Sequence, residues 1–148
     1  MNDLIRDARE GDLPRLAEIE RECFSVPWTV DMLRSQLSPG QHVFLVAEKD
    51  GEAAGYIGLA YVLDEGYISN VAVAPSFRRR GIGDALLDGM EARGRALSLA
   101  FLTLEVRESN APARALYAKH GYRDVGRRKN YYEKPREDAI LMTKELEA

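Results

Sequence analysis

The chain has 148 residues and a formal net charge of −3, and 45% of its residues are apolar while 30% are charged. This length and balance predict a single globular domain, residues 1–148, with a core of ordinary size. The mild negative charge argues against a general nucleic-acid binder. It is compatible with the steering of a basic polypeptide, although solubility alone explains it as well.

Cysteine content and terminal composition bear on the compartment. Cys23 is the single cysteine, so no intramolecular disulfide can form, as is usual in reducing compartments. The first residues include the charged Asp3, Arg6 and Asp7, where a signal peptide would place its apolar stretch. No apolar run approaches the roughly 18 residues that a membrane-spanning helix needs. We therefore expect a cytoplasmic protein with no membrane partner.

The first predicted elements are a short strand at residues 4–8 and a helix that follows it. Apolar side chains recur at helical spacing in that helix, at Leu13, Leu16, Ile19 and Cys23. The place of Cys23 on this stripe favours a small buried core residue over a nucleophile. Thr29 can cap a second helix, which runs through Leu37 and ends at Pro39.

Strand signals dominate the middle of the chain. Residues 43–49 and 52–62 are predicted strands, and the Asp50-Gly51 pair between them is a strong hairpin signal. Residues 67–73 form a further strand, which is apolar on both faces near its end and stops at Pro75. That pattern predicts a central strand covered on both sides.

Helices and strands alternate in the remainder. The predictions are a helix from about Gly83 to Ala96, a strand at 101–106, a helix at 111–119 closed by Gly121, and strands at 122–128 and 138–144. The order is therefore β-α-α-β-β-β-α-β-α-β-β. It predicts an α/β fold, with a mixed sheet that carries helices on its faces.

A basic, glycine-containing loop lies between the strand that ends at Val73 and the amphipathic helix after it. Gly81 and Gly83 remove side chains where backbone N–H groups would approach a ligand. The helix start adds oriented donors and a positive dipole end, and the arginines at 78–80 add charge. These features predict a site for a diphosphate group. The alternative is a solvated basic loop, because Leu86 replaces the third glycine of a Rossmann fingerprint and no Walker lysine is present.

Two motifs in this order resemble the GNAT superfamily of acetyltransferases. Arg78-x-x-Gly81-x-Gly83 is similar to the pyrophosphate loop of that family, R/Q-x-x-G-x-G/A, and residues 110–122 resemble a second family motif. Residues 68–75 resemble the fourth strand, whose backbone pairs with the pantetheine arm. The likeness covers nearly the whole chain. It implies about seven strands in a mostly antiparallel sheet, about four helices, and acetyl-CoA as co-substrate. It also implies cofactor contacts from Val71, Ala72, Val73, Arg78, Arg79, Arg80, Gly81, Ile82, Gly83, Asp84 and Asn110.

A closer likeness is to the RimI-type ribosomal-protein alanine N-acetyltransferases. It is carried by residues 104–110, 128–132 and 136–142 and by the Pro27-Trp28 pair. The sequence at 120–122 departs from many relatives, which affects core packing. The resemblance implies a protein substrate, the N-terminal alanine of a small-subunit ribosomal protein, with no direct nucleic-acid contact. We expect a monomer or a weak dimer.

Glu105 is the predicted general base. In the alternating strand 101–106, Leu102, Leu104 and Val106 point one way and Glu105 the other. A carboxylate near the end of a covered strand is costly unless it has a function or a partner. The resemblance implies that Glu105 deprotonates the acceptor amine, directly or through water. The alternative is a structural ion pair with an arginine such as Arg107 or Arg114.

Tyr117 and Asn110 lie in the second family motif. A lone helical tyrosine is usually half-buried packing with a hydrogen-bonded hydroxyl. The resemblance implies instead that Tyr117 donates a proton to the departing coenzyme A thiolate. Asn110 can cap the helix, and the resemblance implies that it also contacts the cofactor.

Tyr131 and Tyr132 precede residues 133–135, a predicted exposed loop between two strands. The resemblance suggests that the pair clamps a substrate peptide, and ordinary hairpin packing is the alternative. His42 and His120 have no partner at metal-ligand spacing, so we predict no metal.

The resemblance and the amine chemistry together suggest a mechanism. The thioester carbonyl lies near a backbone N–H around Val73, the amine attacks directly, Glu105 accepts its proton and Tyr117 protonates the sulfur. At pH 7, deprotonation costs roughly 1 kcal/mol for an α-amine and roughly 4.6 kcal/mol for lysine, which favours N-terminal substrates. The rival hypotheses are a GNAT enzyme that acts on lysine or small amines, and a non-catalytic acyl-CoA-binding module.

Overall fold

The computed structural model describes residues 4–38 and 40–146, so Asp3 and Pro39 lie outside the described residues. The strands are β1 (Leu4–Asp7), β2 (His42–Lys49), β3 (Glu52–Val62), β4 (Glu65–Val73), β5 (Phe101–Arg107), β6 (Arg123–Glu133) and β7 (Arg136–Glu145). The α-helices are α1 (Leu13–Cys23), α2 (Val30–Arg34), α3 (Ile82–Ala96) and α4 (Ala111–Lys119). The predicted order of elements is confirmed. The second helix is shorter than predicted, because its last turn, Ser35–Leu37, is a 3-10 helix.

The strands of the described residues form one sheet in the order β1-β2-β3-β4-β5-β7-β6. Neighbouring strands pair antiparallel except β4 and β5, which run parallel. Strands β4 and β5 pair only where residues 65–67 lie opposite residues 101–103. Beyond that register the two strands no longer pair, and a gap opens in the middle of the sheet. The mixed, mostly antiparallel sheet is the predicted architecture.

Helices α1 and α3 cover opposite faces of the sheet. A Cβ at Gly55 would lie 3.3 Å from Cγ2 of Ile82, the first residue of α3. The next residue, Tyr56, reaches Glu20 of α1 with its hydroxyl. Because successive residues of a strand point to opposite faces, the two helices must lie on different sides. The central strands are consequently buried on both faces, as the apolar pattern predicts.

The β2–β3 hairpin turns at the predicted residues. Asp50 and Gly51 have φ of 55° and 83°, and positive φ at both central positions is the signature of a type I′ turn. Thr29 caps α2 as expected, accepting a hydrogen bond from the Met32 N–H at 3.2 Å. These local sequence signals act through the backbone of a few residues, which is why they are readable without the tertiary fold.

The β6–β7 hairpin differs from the prediction. The strand expected to end at Arg128 continues to Glu133. Its pairing is interrupted by a bulge, where Asn130 has φ of 53°, and resumes with Tyr132 opposite Glu137. Glu133 therefore belongs to a strand, and the predicted loop at 133–135 is shortened to Lys134 and Pro135. Bulges of this kind obscure the two-residue period on which strand prediction rests.

Candidate active site

The backbone of β4 faces the gap beside β5. The Ala74 N–H donates to the Ala54 carbonyl at 2.8 Å, which marks a hydrogen-bonded pair of the β3–β4 ladder. Such pairs alternate with non-hydrogen-bonded ones in an antiparallel ladder. Val73, opposite Gly55, therefore directs its N–H and carbonyl away from β3. Val71 does the same one repeat earlier, so both residues offer backbone groups to the gap.

Ala72, between these two residues, directs its backbone groups the other way. It pairs with Tyr56 of β3 and is only 4% exposed. It contributes packing at this point of the sheet, and its polar backbone groups are directed towards β3.

The end of β4 is held by Arg78 and Cys23. The Val73 carbonyl accepts from Arg78 Nε at 3.3 Å and from Cys23 Sγ at 3.4 Å. Burial raises the pKa of the Cys23 thiol, which disfavours a nucleophilic thiolate. Cys23 packs at the edge of the core, as the sequence predicts.

The start of α3 is uncapped and open to solvent at Gly81. Gly81 has φ of 78°, and no heavy atom lies within 4 Å of the position where a Cβ would stand. No side chain caps the helix, so the N–H groups of its first turn point out of the helix unpaired. A Cβ at Gly83 would lie 2.9 Å from Leu116 Cδ2, the far end of a flexible side chain. Packing against α4 therefore favours a small residue at 83.

The remaining loop residues include exposed arginines and one residue that packs in the core. Arg79 has φ of 64°, and the Arg80 guanidinium lies 5.4 Å from the centre of the Phe77 ring. Ile82 is 1% exposed and anchors the start of α3 in the core. The three arginines therefore do not form one cluster, since Arg78 points to β4 and Arg80 to the preceding turn.

Asp84 links the first turn of α3 to the end of α4. Its carboxylate lies 2.8 Å from His120 Nε2 and 2.9 Å from Lys119 Nζ. These bonds, the one to His120 first, lower the pKa of Asp84. The Asp84 carboxylate is thus engaged with protein side chains.

Glu105 lines a cavity of about 140 Å³ in the gap between β4 and β5. The cavity is lined by Tyr67, Ile68, Thr103, Leu104, Glu105, Arg128 and Leu141. Arg128 Nε donates to Glu105 Oε2, and the Glu105 side chain is 28% exposed. Glu105 thus forms an ion pair with an arginine, as the structural alternative predicts, but the partner is Arg128. Arg107 pairs instead with Glu137 at 3.2 Å, and Arg114 with Asp124 at 3.1 Å.

Tyr117 is buried on α4 next to the start of α3. It is 8% exposed, and its ring centre lies 6.0 Å from that of Tyr122. Burial, with a smaller contribution from Tyr132, raises the pKa of Tyr117 to about 12. The hydroxyl is therefore protonated at neutral pH. Asn110 caps α4 as predicted, its side-chain oxygen accepting from the Ala113 N–H at 3.2 Å.

Tyr131 and Tyr132 stand on β6 beside Glu105. Their rings meet edge to face with centres 5.1 Å apart. Burial and then the Glu105 carboxylate raise the pKa of Tyr131, whereas burial and then Tyr131 raise that of Tyr132 to about 12. Arg107 lies 4.3 Å from the centre of the Tyr132 ring. The tyrosine pair and the carboxylate therefore share one environment.

The tip of the β6–β7 hairpin is fastened from two sides. Arg107 Nη1 donates to the Pro135 carbonyl at 2.9 Å, and Ser25, in the loop after α1, donates its hydroxyl proton to the Lys134 carbonyl. The loop after α1 and the hairpin tip thus meet beside the tyrosine pair.

Sequence reasoning missed two residues of this region. Arg128 stands in a quoted motif but received no role, because its contact with Glu105 depends on the register across β7. Glu20, 1% exposed on α1, accepts from the Tyr56 hydroxyl, from Asn70 Nδ2 at 2.6 Å and from the Trp28 N–H at 2.7 Å. No local pattern separates such a buried carboxylate from a solvated one on the same helix.

Within residues 4–38 and 40–146, no group of three or more His, Cys, Asp or Glu side chains is arranged to hold a metal ion. None of the helices in that part of the chain is long and apolar enough to cross a bilayer.

Residues 13–122 match the acetyltransferase (GNAT) family. A similar relative is the [ribosomal protein bS18]-alanine N-acetyltransferase of Escherichia coli K12, 39% identical over 144 residues that cover 93% of this chain and 94% of the relative.

Solved structures agree with that match. The ribosomal-protein-S18-alanine N-acetyltransferase from Escherichia coli superimposes with a TM-score of 0.92 at 33% identity, covering 99% of this chain and 96% of the other. Arabidopsis thaliana NAA60 in complex with acetyl-CoA shares the fold, with a TM-score of 0.88 at 22% identity over 98% and 99% of the two chains.

Proposed function

The chain belongs to the acetyltransferase (GNAT) family, and on that premise we propose that it moves an acetyl group from acetyl-CoA to the α-amine of a protein N-terminus. The relatives named for ribosomal protein bS18 suggest the N-terminal alanine of that small-subunit protein as the substrate. We propose further that residues 1–148 act as one domain in the cytoplasm, where ribosomal proteins are made.

One observation carries the proposal: the gap between β4 and β5 has backbone donors on one side and the Glu105 carboxylate on the other. Unpaired N–H groups on β4 suit an extended amide-containing arm, and the open, uncapped start of α3 suits a diphosphate. These features fit acetyl-CoA. The Val73 N–H is the proposed donor to the oxyanion that forms on the thioester carbonyl.

Glu105 is the proposed base for the incoming amine. It lines the cavity beside Thr103 and Leu104, so its carboxylate is partly shielded yet reachable. Arg128 donates to Oε2 and Tyr131 also hydrogen-bonds to the carboxylate. An ionised carboxylate has about four lone-pair sites, so a site remains to accept the proton, directly or through one water.

Tyr117 is the proposed donor to the leaving sulfur. Its pKa of about 12 exceeds the value of about 8.5 for an ordinary thiol, so complete proton transfer to the thiolate is uphill. The hydroxyl therefore stabilises the departing sulfur chiefly by donating a hydrogen bond. Tyr131 and Tyr132 are the proposed walls for the substrate peptide, and Asn110 the proposed further cofactor contact.

Two measurements test this function. Isothermal titration with acetyl-CoA should show binding, and mass spectrometry should then show acetylation of peptides with a free N-terminal alanine in preference to N-blocked peptides that carry a lysine. Binding without transfer to any amine would indicate the acyl-CoA-binding module, and preferred transfer to lysine would indicate the rival enzyme. Absence of acetyl-CoA binding would overturn the proposal altogether.

A further inference from the structure

Arg128 is the cation at the proposed acceptor cavity. It lies on β6 opposite Ala139 of β7, which in turn lies opposite Arg107 of β5. Residues aligned in this way share a face of the sheet with residues two positions along each strand. Arg128 therefore stands on the same face as Glu105 and reaches it across β7, which explains why both side chains line the cavity.

We propose that Arg128 determines acceptor specificity, because it cancels the charge of Glu105 and so makes the pocket select the neutral form of the incoming amine. The inference rests on the proposed acetyl transfer to an α-amine and names what favours that amine over lysine. Arg128 acts through Glu105 and is a positioning residue.

The other ionisable groups facing the cavity are uncharged at neutral pH. Tyr67 lines it from β4, and a hydrogen bond to Glu65 raises the pKa of this tyrosine. On β6, burial is the main cause of the raised pKa of Tyr131 and Tyr132. These three tyrosines therefore add no charge beside Glu105.

The nearest charged groups on β5 and β7 compensate one another. Arg107 and Glu137 form an ion pair at 3.2 Å, and Arg107 also binds the carbonyls of Lys134 and Pro135. The Glu105 and Arg128 charges at the cavity wall therefore sum to zero, and Glu65, which accepts from the Tyr67 hydroxyl, does not line the cavity. Without Arg128 the sum becomes −1.

A pocket without net charge and a pocket of charge −1 bind different protonation states of an amine. At pH 7 roughly one in ten α-amines is neutral, whereas roughly one in 2,500 lysine side chains is. A pocket without net charge gains nothing from an ammonium group and so keeps this difference. A pocket of charge −1 attracts the ammonium form, and lysine then binds nearly as well as an N-terminus.

The experiment compares a charge series at position 128 with a matched arginine. The pocket charge is 0 in Arg128→Lys, −1 in Arg128→Gln and −2 in Arg128→Glu. Replacing the Arg128 side chain leaves no cavity, because it is 55% exposed. The control is Arg127→Gln on the same strand, where Arg127 pairs with Glu108 and Asp138. The readout is the dissociation constant of an N-blocked peptide with one lysine, divided by that of a peptide with a free N-terminal alanine, both measured at pH 7 with enzyme saturated by unacylated coenzyme A.

We expect the ratio to fall about tenfold in Arg128→Gln and further in Arg128→Glu, given the partial exposure of the pair. Arg128→Lys and Arg127→Gln should stay near the wild-type ratio. Equal ratios in Arg128→Gln and Arg127→Gln would overturn the inference while leaving the proposed function intact. A wild-type enzyme that acetylates neither peptide would instead contradict the proposed function.

The pH dependence of binding separates this charge effect from a purely structural one. With enzyme saturated by unacylated coenzyme A, the wild type should bind the alanine peptide roughly 35- to 50-fold more weakly at pH 6 than at pH 8, because the neutral amine becomes scarce. Arg128→Gln should lose most of this pH dependence. An unchanged pH dependence in that variant would contradict the proposal.

Discussion

The two sides of the central gap present different kinds of chemical group to it. On the β4–α3 side, Val71, Val73 and the first turn of α3 present backbone groups, and the side chains mostly pack. On the β5–β7 side, Glu105 and Arg128 present charged side chains to the cavity. The first side is specified by backbone direction and therefore tolerates many substitutions. The second depends on individual functional groups, so single atoms should matter there.

The largest effect should come from Glu105→Gln, on the side-chain side. This isosteric change removes the proposed base, so we expect turnover to fall about 10²- to 10⁴-fold with acetyl-CoA affinity nearly unchanged. Steady-state kinetics and isothermal titration measure the two quantities. Glu108→Gln, which removes a nearby carboxylate that pairs with Arg127, is the control and should retain turnover. Full activity in Glu105→Gln would remove the base from this residue.

Tyr117→Phe should have a smaller effect. A lost hydrogen bond to a charged group is worth about 1.5–3 kcal/mol, so turnover should fall roughly 10- to 100-fold as followed by thiol release. Tyr122→Phe is the matched control, since Tyr122 is buried beside Tyr117 and its pKa is also raised by burial. If both variants lose the same activity, the effect belongs to packing and not to the Tyr117 hydroxyl.

Gly81→Val tests the backbone side. The φ of 78° strains a β-branched residue even though space is available, at about 1–3 kcal/mol. We expect acetyl-CoA affinity to fall about tenfold, with turnover of the bound complex little changed. Gly51→Val imposes similar strain at φ of 83° in the β2–β3 turn, also in open space. That control should lose thermal stability but not affinity, and equal affinity losses would contradict an anion site at Gly81.

The smallest effect should be seen in the alkaline pH profile. A proton donor must be protonated, and the raised pKa of about 12 leaves roughly 1% of Tyr117 ionised at pH 10. The turnover number at saturating substrates should therefore show no descending limb from Tyr117 between pH 7 and pH 10. A limb with a midpoint near 10 that disappears in Tyr117→Phe would show that the hydroxyl is not buried as described.

Local signals in the sequence predicted most of the fold. The Asp50-Gly51 turn, the Thr29 cap and the Asn110 cap each depend on the backbone of a few adjacent residues, and each is found. The sequence predicts that β6 ends at Arg128, whereas it continues through Tyr132. A bulge at Asn130 breaks the alternation of side chains on which the prediction rests. The sequence predicts ligand approach at Gly83, and the fold adds a close contact with Leu116 of α4 that no local pattern indicates.

The sequence by itself determined the order of elements, the family resemblance, and the residues named for the site, since helix periodicity, turn chemistry and motif spacing are properties of neighbouring residues. Only the tertiary structure decided that β4 and β5 separate and that Arg128, not Arg107 or Arg114, meets Glu105. The physical reason is register. A contact across an intervening strand depends on the register of each strand with its neighbour, and no short stretch of sequence specifies that register.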